Sequence, residues 1–333
     1  MASKSSYDES LLGEASFHTL DWARLKEKDG DQQRKLLQAG QDQGFFYLDL
    51  SSDKTFIQDW KAVLDIMTQY FHLDIEEKMR DSRNSDTHGY EPVATSSGAV
   101  KELPDYYESL KASREEVLEK SNALAPVIAA NHSLFLRFSN AAHEVVMTIL
   151  RQFDLALSEA FGMQTNLASF HQDNHPSLTT LAMFRYPKQE TPSVGIGHGK
   201  HTDLGTLTFL LCQQWGLQVL SRDPAGWQFV APKPNHAVIN VGDTLCFLSG
   251  RRLRSAVHRV IPTRGLQHED RSSIAYFLRA KNEVEFEDST GRTVSAKAWH
   301  DEKFDVFREP HEQQERVPIL TGGMERGESL IVA

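Results

Sequence analysis

Histidine-x-aspartate places two metal-ligating side chains on one face of an extended strand. It occurs four times in this chain: His72–Asp74, His171–Asp173, His201–Asp203 and His268–Asp270. A one-metal reading uses a single copy, so context has to choose. Asp74 opens the helical pattern "DIEEK" and reads as an N-cap. His171 sits in the polar turn "FHQDNHPS" and His268 in the loop "RGLQHEDR". His201 and Asp203 instead precede the buried run "TLTFLLC", flanked by Gly199 and Gly205, which permit close backbone approach. Residues two apart on extended backbone project the same way. His201 and Asp203 therefore aim at one point, and His198, of opposite parity, is expected to be a neighbour and not a ligand.

A third ligand must come from a distant segment. His258 in "SAVHRVI" is the best candidate, and His236, which opens "HAVINVGD", is second. A lone histidine in an apolar strand is more often a satisfied core residue, so His258 gains its weight from the pair it would complete. Two histidines and a carboxylate suit Fe(II), with three coordination positions left open. They also suit catalytic zinc with an activated water. The segment "DRSSIAYF" bears on the choice. Arg271 and Ser273 share one face of a strand, and a guanidinium with a nearby hydroxyl grips a carboxylate. A zinc hydrolase has no stated need for such a pair.

These residues need elements to hold them. "DQQRKLLQAGQDQ" (31–43) has helical spacing and stops at Gly44, "GFFYLDLS" (44–51) reads as a short buried strand, and "TFIQDWKAVLDIMTQYFHL" (55–73) is an amphipathic helix. "DSRNSDTHGYEPVATSSG" (81–98) is a loop carrying a short strand. The longest helical signal runs from about Leu134 to Phe161, with Phe135, Phe138, Ala142, Val145, Val146, Ile149, Phe153 and Ala160 on one face and Gly162 as a cap. After Ala168 the texture changes to short β-branched or aromatic runs bounded by turn residues: "LTTLAMFRY", "TLTFLLCQ", "GLQVLS", "WQFVA", "HAVINVGD", "TLCFLS", "SAVHRVI" and "SSIAYFLRA". That spacing predicts an antiparallel sandwich or barrel, and two Greek keys closed into a jelly roll suit the strand number. "SAKAWHDEKFDVFRE" (295–309) is helical again. The expected fold is mainly β with α: a double-stranded β-helix (jelly-roll) core, a helical N-terminal half and a helical C-terminal tail.

Composition narrows the partners. With 46 acidic and 36 basic residues, net charge −10, the chain lacks the basic footprint of a nucleic-acid binder. "GRRLRS" (250–255), its densest basic cluster, reads as a turn between strands. No run reaches the ~20 apolar residues of a membrane span. "MASKSSYDES" has no apolar segment like that of a signal peptide, and "SLIVA" is not a peroxisomal address. Cys212 and Cys246 lie in apolar runs and read as buried free thiols of a reducing compartment. The expected location is cytoplasmic and the expected partner a small molecule, with oligomeric state left open.

The longer pattern resembles a family. "HTDLGTLTFLLCQQWGLQVL", then "WQFVAPKPNHAVINVGDTLCFLSGRRLRSAVHRVI", then "RSSIAYF" is similar to the isopenicillin N synthase-like branch of the Fe(II)/2-oxoglutarate-dependent oxygenases. "GFFYLDL", "FHLDIEEKMR" and "HGY" extend the likeness into the N-terminal half. The resemblance implies a single oxygenase domain over 1–333: a mainly helical region (1–167), a jelly-roll core with the iron and 2-oxoglutarate site (168–285) and a helical tail (286–333). It implies iron on His201, Asp203 and His258, and the far carboxylate of 2-oxoglutarate on Arg271 and Ser273. Tyr186, in "FRYP", matches a tyrosine of the cosubstrate pocket. Many members carry Asn two positions earlier, where this chain has Phe184, which removes a hydrogen bond and makes the pocket more apolar. Asp203 argues against a halogenase that leaves that position to halide. The implied cofactors are Fe(II), 2-oxoglutarate and O2, with ascorbate as in-vitro reductant. The implied reaction oxidises a small organic molecule of specialised metabolism by hydroxylation, desaturation, or ring formation or expansion. Tyr106 and Tyr107 in "LPDYYESLK" are candidates for the substrate entrance, with packing of a loop as the plain alternative. Competing readings are an isopenicillin N synthase-like oxidase that does not use 2-oxoglutarate, a zinc hydrolase or isomerase on a cupin-like barrel, and a non-catalytic jelly-roll binding module.

Overall fold

The structure, a computed structural model, describes residues 13–191, 195–221 and 226–324. The N-terminal decapeptide and the C-terminal "SLIVA" discussed above lie outside these residues. Fourteen strands are used below: β1 (Thr19–Asp21), β2 (Phe45–Asp49), β3 (Gly89–Glu91), β4 (Glu108–Ser113), β5 (Thr180–Tyr186), β6 (His198–His201), β7 (Leu207–Cys212), β8 (Leu217–Leu220), β9 (Trp227–Phe229), β10 (His236–Val241), β11 (His258–Val260), β12 (Arg271–Leu278), β13 (Glu285–Glu287) and β14 (Thr293–Ser295).

Two sheets make the core: eight strands in the order β1-β2-β10-β7-β12-β5-β4-β3, and four in the order β6-β11-β8-β9. Apart from the parallel β1–β2 pair, neighbours run antiparallel. The jelly roll expected from the sequence is thus the architecture, and the N-terminal half adds β1–β4 to its large sheet as well as helices.

The two-residue period of a strand sorts side chains between two cores. On β2, Phe46 and Leu48 join the large core beneath the helices, while Phe45 and Tyr47 face the space between the sheets. On β12, Ile274, Tyr276 and Leu278 belong to the helical side, so Arg271 and Ser273 face inward. The register sets Arg271 opposite Tyr186 and Ser273 opposite Phe184. Arg271 is thus a charged group on an otherwise largely apolar inward wall.

Helices cover the outer face of the large sheet. The helix Lys54–Phe71 starts where Asp53 accepts from the Phe56 N–H at 3.0 Å. The 30-residue helix His132–Phe161 stops at Gly162, in the left-handed region at φ +66°. Its buried stripe is the one expected as far as Phe153, but Ala160 is exposed because the last turn runs past the sheet.

Two expectations fail locally. "TLCFLS" is not a strand: Asp243–Leu248 is a helix, with Asp243 through Phe247 all buried. A short apolar run buried all round carries no period to separate strand from helix. Its Asp243 and Thr244 amides donate to Asp203 O (2.7 Å) and Gly205 O (3.0 Å), folding the segment onto the loop that holds Asp203. "GRRLRS" accordingly follows a helix and not a strand. Its Arg251 and Arg254 donate to backbone carbonyls of Asp288, Asp42 and Leu220. The C-terminal region opens with the β13–β14 hairpin before the helix Ala296–Arg308.

Candidate active site

Three segments deliver the atoms that could ligate a metal. His201 ends β6, Asp203 follows in the loop to β7, and His258 begins β11, paired across the small sheet with His201. Gly199 and Gly205 do the job expected of them. A Cβ on Gly205 would stand 2.8 Å from Leu278 O, and one on Gly199 3.0 Å from Ser97 O.

His201 Nδ1 lies 2.8 Å from Gly199 O, and His258 Nδ1 lies 3.1 Å from Ala256 O. A carbonyl can only accept, so both Nδ1 atoms are donors, and in the neutral ring the lone pair is on Nε2. Those Nε2 atoms face Asp203 Oδ1 at 3.6 and 3.7 Å. The other carboxylate oxygen is committed, since Oδ2 accepts from Thr208 Oγ1 (2.5 Å) and Asn240 Nδ2 (2.7 Å). One atom from each residue lies within 4.8 Å of the other two. Burial, and then the neighbouring His201, push the His258 imidazole down to about 4, so the ring is neutral at pH 7. Burial alone would raise the Asp203 carboxyl, but His258, His201 and Asn240 hold it far below the usual carboxylate range. Two imidazole nitrogens and a carboxylate oxygen converging in this way can hold a divalent metal, and the donor set matches the facial triad of non-haem iron.

His198 breaks the parity argument in an informative way. Between His258 and Val260, two positions apart on β11, the partners on β6 are His201 and His198, three apart. This bulge returns His198 to the face of the site. Its ring stacks on His201 (centroids 4.5 Å apart) and on Tyr107 (4.6 Å). It lies beside the triad without contributing an atom to it. His236 lies apart, with Nδ1 2.7 Å from Pro234 O. Among the other His-x-Asp pairs, His171 is buried between Leu167 O and Thr206 Oγ1, Asp173 holds Arg114, and Asp270 holds Arg185.

Arg271 is 1% exposed. Its Nε donates to Trp215 O at 3.0 Å, and its guanidinium lies 4.8 Å from the Tyr186 ring centroid. Its Nη1 is buried without a partner among the described residues. A buried cation with an orphaned donor can take an anion as its partner. Ser273, buried two residues on, faces the same side.

A cleft opens beside His201 and Asp203. Of the three aromatic candidates, Tyr107 and Phe184 line it and Tyr106 does not. The Tyr106 amide donates to Gly197 O at 2.9 Å, which fixes the loop against β6. Sequence reasoning missed the opposite wall. Lys303, Phe304 and Phe307 of the C-terminal helix close it, with Phe307 edge-on to His198 at 5.2 Å. Lys303 Nζ bonds Asp243 Oδ2 (2.5 Å) and Thr202 Oγ1 (2.7 Å), tying that helix to the triad loop. Lys111 and Arg279 are further cleft residues without a sequence signal. Asn240 did leave one, as a polar residue inside the apolar strand "HAVINV".

The fold and the triad are compatible with a metal-dependent enzyme, and comparison with known proteins gives the class. The model of the 2OG-Fe(II) oxygenase superfamily matches residues 174–280, and that of the N-terminal region of the non-haem dioxygenases in morphine synthesis matches residues 18–132. The chain is 64% identical to Oxidoreductase vrtI of Penicillium aethiopicum over 96% of this chain and 77% of that protein. It is 63% identical to the 2-oxoglutarate-dependent dioxygenase frbH of Dothideomycetidae sp. (strain 11243), over 92% of this chain and 95% of that one. The crystal structure of the dioxygenase for auxin oxidation in rice shares the fold at TM-score 0.65 and 20% identity, over 87% of this chain and 95% of that one. The chain belongs to the Fe(II)/2-oxoglutarate-dependent oxygenase superfamily. It is an oxidoreductase acting on a small organic molecule, with Fe(II) and 2-oxoglutarate as cofactors. Among the described residues, no helix is long and apolar enough to cross a membrane.

Proposed function

We propose that His201 Nε2, Asp203 Oδ1 and His258 Nε2 hold the iron, and that Arg271 and Ser273, beside Tyr186, hold the far carboxylate of 2-oxoglutarate. The observation that carries this reading is the orphaned Nη1 of the buried Arg271. It supplies the anion site that a zinc hydrolase would not need. With both groups bound, the centre supplies the oxidising power that breaks a substrate C–H bond.

The protein contributes position. Gly199 O and Ala256 O fix the imidazole orientation, and Thr208 and Asn240 fix the carboxylate. The aromatic wall of the cleft excludes water and holds an apolar body. Phe184 adds to that wall where an asparagine would have been polar. A medium-sized, partly apolar molecule of specialised metabolism suits it, converted by hydroxylation, desaturation or ring chemistry. We read residues 1–333 as one oxygenase domain, since the N-terminal half supplies four strands of the large sheet. Neither Cys246, which is buried, nor Cys212, which is only half-buried where a buried thiol was expected, is in a disulfide, and this supports a cytoplasmic location.

Succinate release from 2-oxoglutarate, measured with Fe(II), ascorbate and O2, tests the reading. Succinate formed with Fe(II) and lost with zinc is expected. Iron-dependent oxidation without 2-oxoglutarate consumption would favour the isopenicillin N synthase-like alternative.

A further inference from the structure

Of the cleft's lysine and arginine side chains, two are ion-paired and one is not. Lys111 Nζ is 2.6 Å from Glu91, Lys303 Nζ is 2.5 Å from Asp243, and Asp86 pairs with Arg308. Arg279 is 8% exposed and has no carboxylate at ion-pair distance among the described residues. Its Nη1 donates to Leu178 O and, at 3.0 Å, to Thr180 Oγ1. Its Nε is buried without a partner among the described residues. One edge of the planar fork, Nε with Nη2, therefore makes no hydrogen bond among the described residues. That edge matches a carboxylate bidentately. Burial holds the guanidinium down at about 10, still charged at neutral pH, and Asp203 and Asp86 act on it only from a distance.

Arg271, Ser273 and Arg279 share the inward parity of β12 and its continuation. Eight residues of strand separate the two arginines by about 26 Å. One molecule of 2-oxoglutarate cannot reach both, so they form two separate anion sites. Arg279 shares the cleft with His201, Asp203, Tyr107, Phe184 and Phe307.

We propose that Arg279 anchors the substrate, which carries a carboxylate on the free Nε/Nη2 edge and lays its apolar body along Tyr107, Phe184 and Phe307 beside the triad. The substrate class is an aryl or alkyl carboxylic acid, or a larger molecule presenting such an acid. This rests on the assignment of the cleft beside the triad as the substrate site. A neutral analogue leaves the buried guanidinium unpaired and is rejected for that reason.

The test uses the full chain loaded with Fe(II) and 2-oxoglutarate under argon. Phenylacetate and 3-phenylpropionate, and their primary amides, are titrated by calorimetry. Each acid is expected to bind at least about tenfold tighter than its amide. Arg279→Gln removes that preference while 2-oxoglutarate affinity stays within about twofold, which also reports that the variant is folded. Arg271→Gln does the reverse, losing 2-oxoglutarate and keeping the acid preference. Should Arg279→Gln fail to fold, Arg279→Lys keeps the charge, loses the fork and is expected to lower the preference. An acid preference unchanged in a folded Arg279 variant would overturn the proposal. So would acids that bind no better than amides, or not at all, to protein that binds 2-oxoglutarate. Failure to bind 2-oxoglutarate in the wild type would instead strike the underlying site assignment.

Discussion

Asn240 donates its side-chain amide to Asp203 Oδ2 over 2.7 Å, from the middle of a strand whose other inward neighbour, Val238, is apolar. The bond, with that of Thr208, leaves Asp203 Oδ1 facing the two imidazoles. Asn240→Ala should therefore weaken Co(II) affinity by about 10–100-fold while leaving the fold intact. Calorimetric metal titration checks this; an unchanged affinity would mean the backbone alone aims the carboxylate.

His201 and His198 stack face to face, yet only His201 supplies a triad atom. His201→Ala is expected to abolish stoichiometric metal binding, and His198→Ala to retain it within a few-fold. Metal content after dialysis distinguishes the two. Equal loss in both variants would show that the bulge makes His198 a ligand.

Arg271→Ala removes a buried cation that an anion must pair with. Truncating one partner of a buried charge pair costs about 2–5 kcal/mol, or at least ~30-fold in affinity. The apparent KM for 2-oxoglutarate in succinate release should rise by that factor. An unchanged KM would place the cosubstrate elsewhere.

Arg114 and Asp173 join the strand-to-helix junction after β4 to the turn before β5 by two bonds of 2.5 and 2.7 Å. Burial alone would push the Asp173 carboxyl up; the Arg114 bonds outweigh it and leave the carboxyl below its ordinary value. A lowered pKa means stability that is present above the unfolded value of about 3.9 and is lost as pH falls through the folded value. Asp173→Asn should cost about 1–2 kcal/mol at pH 7, less than a fully buried pair because Asp173 is 42% exposed. Denaturant unfolding at pH 7 and below pH 4 should show the gap closing in acid. A gap constant with pH would mean the bond does not depend on ionisation.

Much of this was legible beforehand, for reasons visible in particular residues. His201 and Asp203 could be chosen among four copies because glycines and a buried strand surround only that pair. Arg271 and Ser273 could be paired because β12 is regular and parity holds along it. Parity failed at His198, where a bulge that no residue type announces adds one position to β6. The helix Asp243–Leu248 was hidden because burial on every side erases periodicity. The far wall of the cleft was invisible in another way. Phe304, Phe307 and Arg279 acquire meaning only when a C-terminal helix crosses the barrel mouth, a contact between segments that no local pattern encodes.

Iron-edge anomalous diffraction tests the central claim most directly, on crystals soaked anaerobically with Fe(II) and 2-oxoglutarate. The account predicts one anomalous peak within coordination distance of His201 Nε2, Asp203 Oδ1 and His258 Nε2, with 2-oxoglutarate reaching from it to Arg271 and Ser273. A peak on His198 or His236, or 2-oxoglutarate with its far carboxylate on Arg279 and not Arg271, would contradict it.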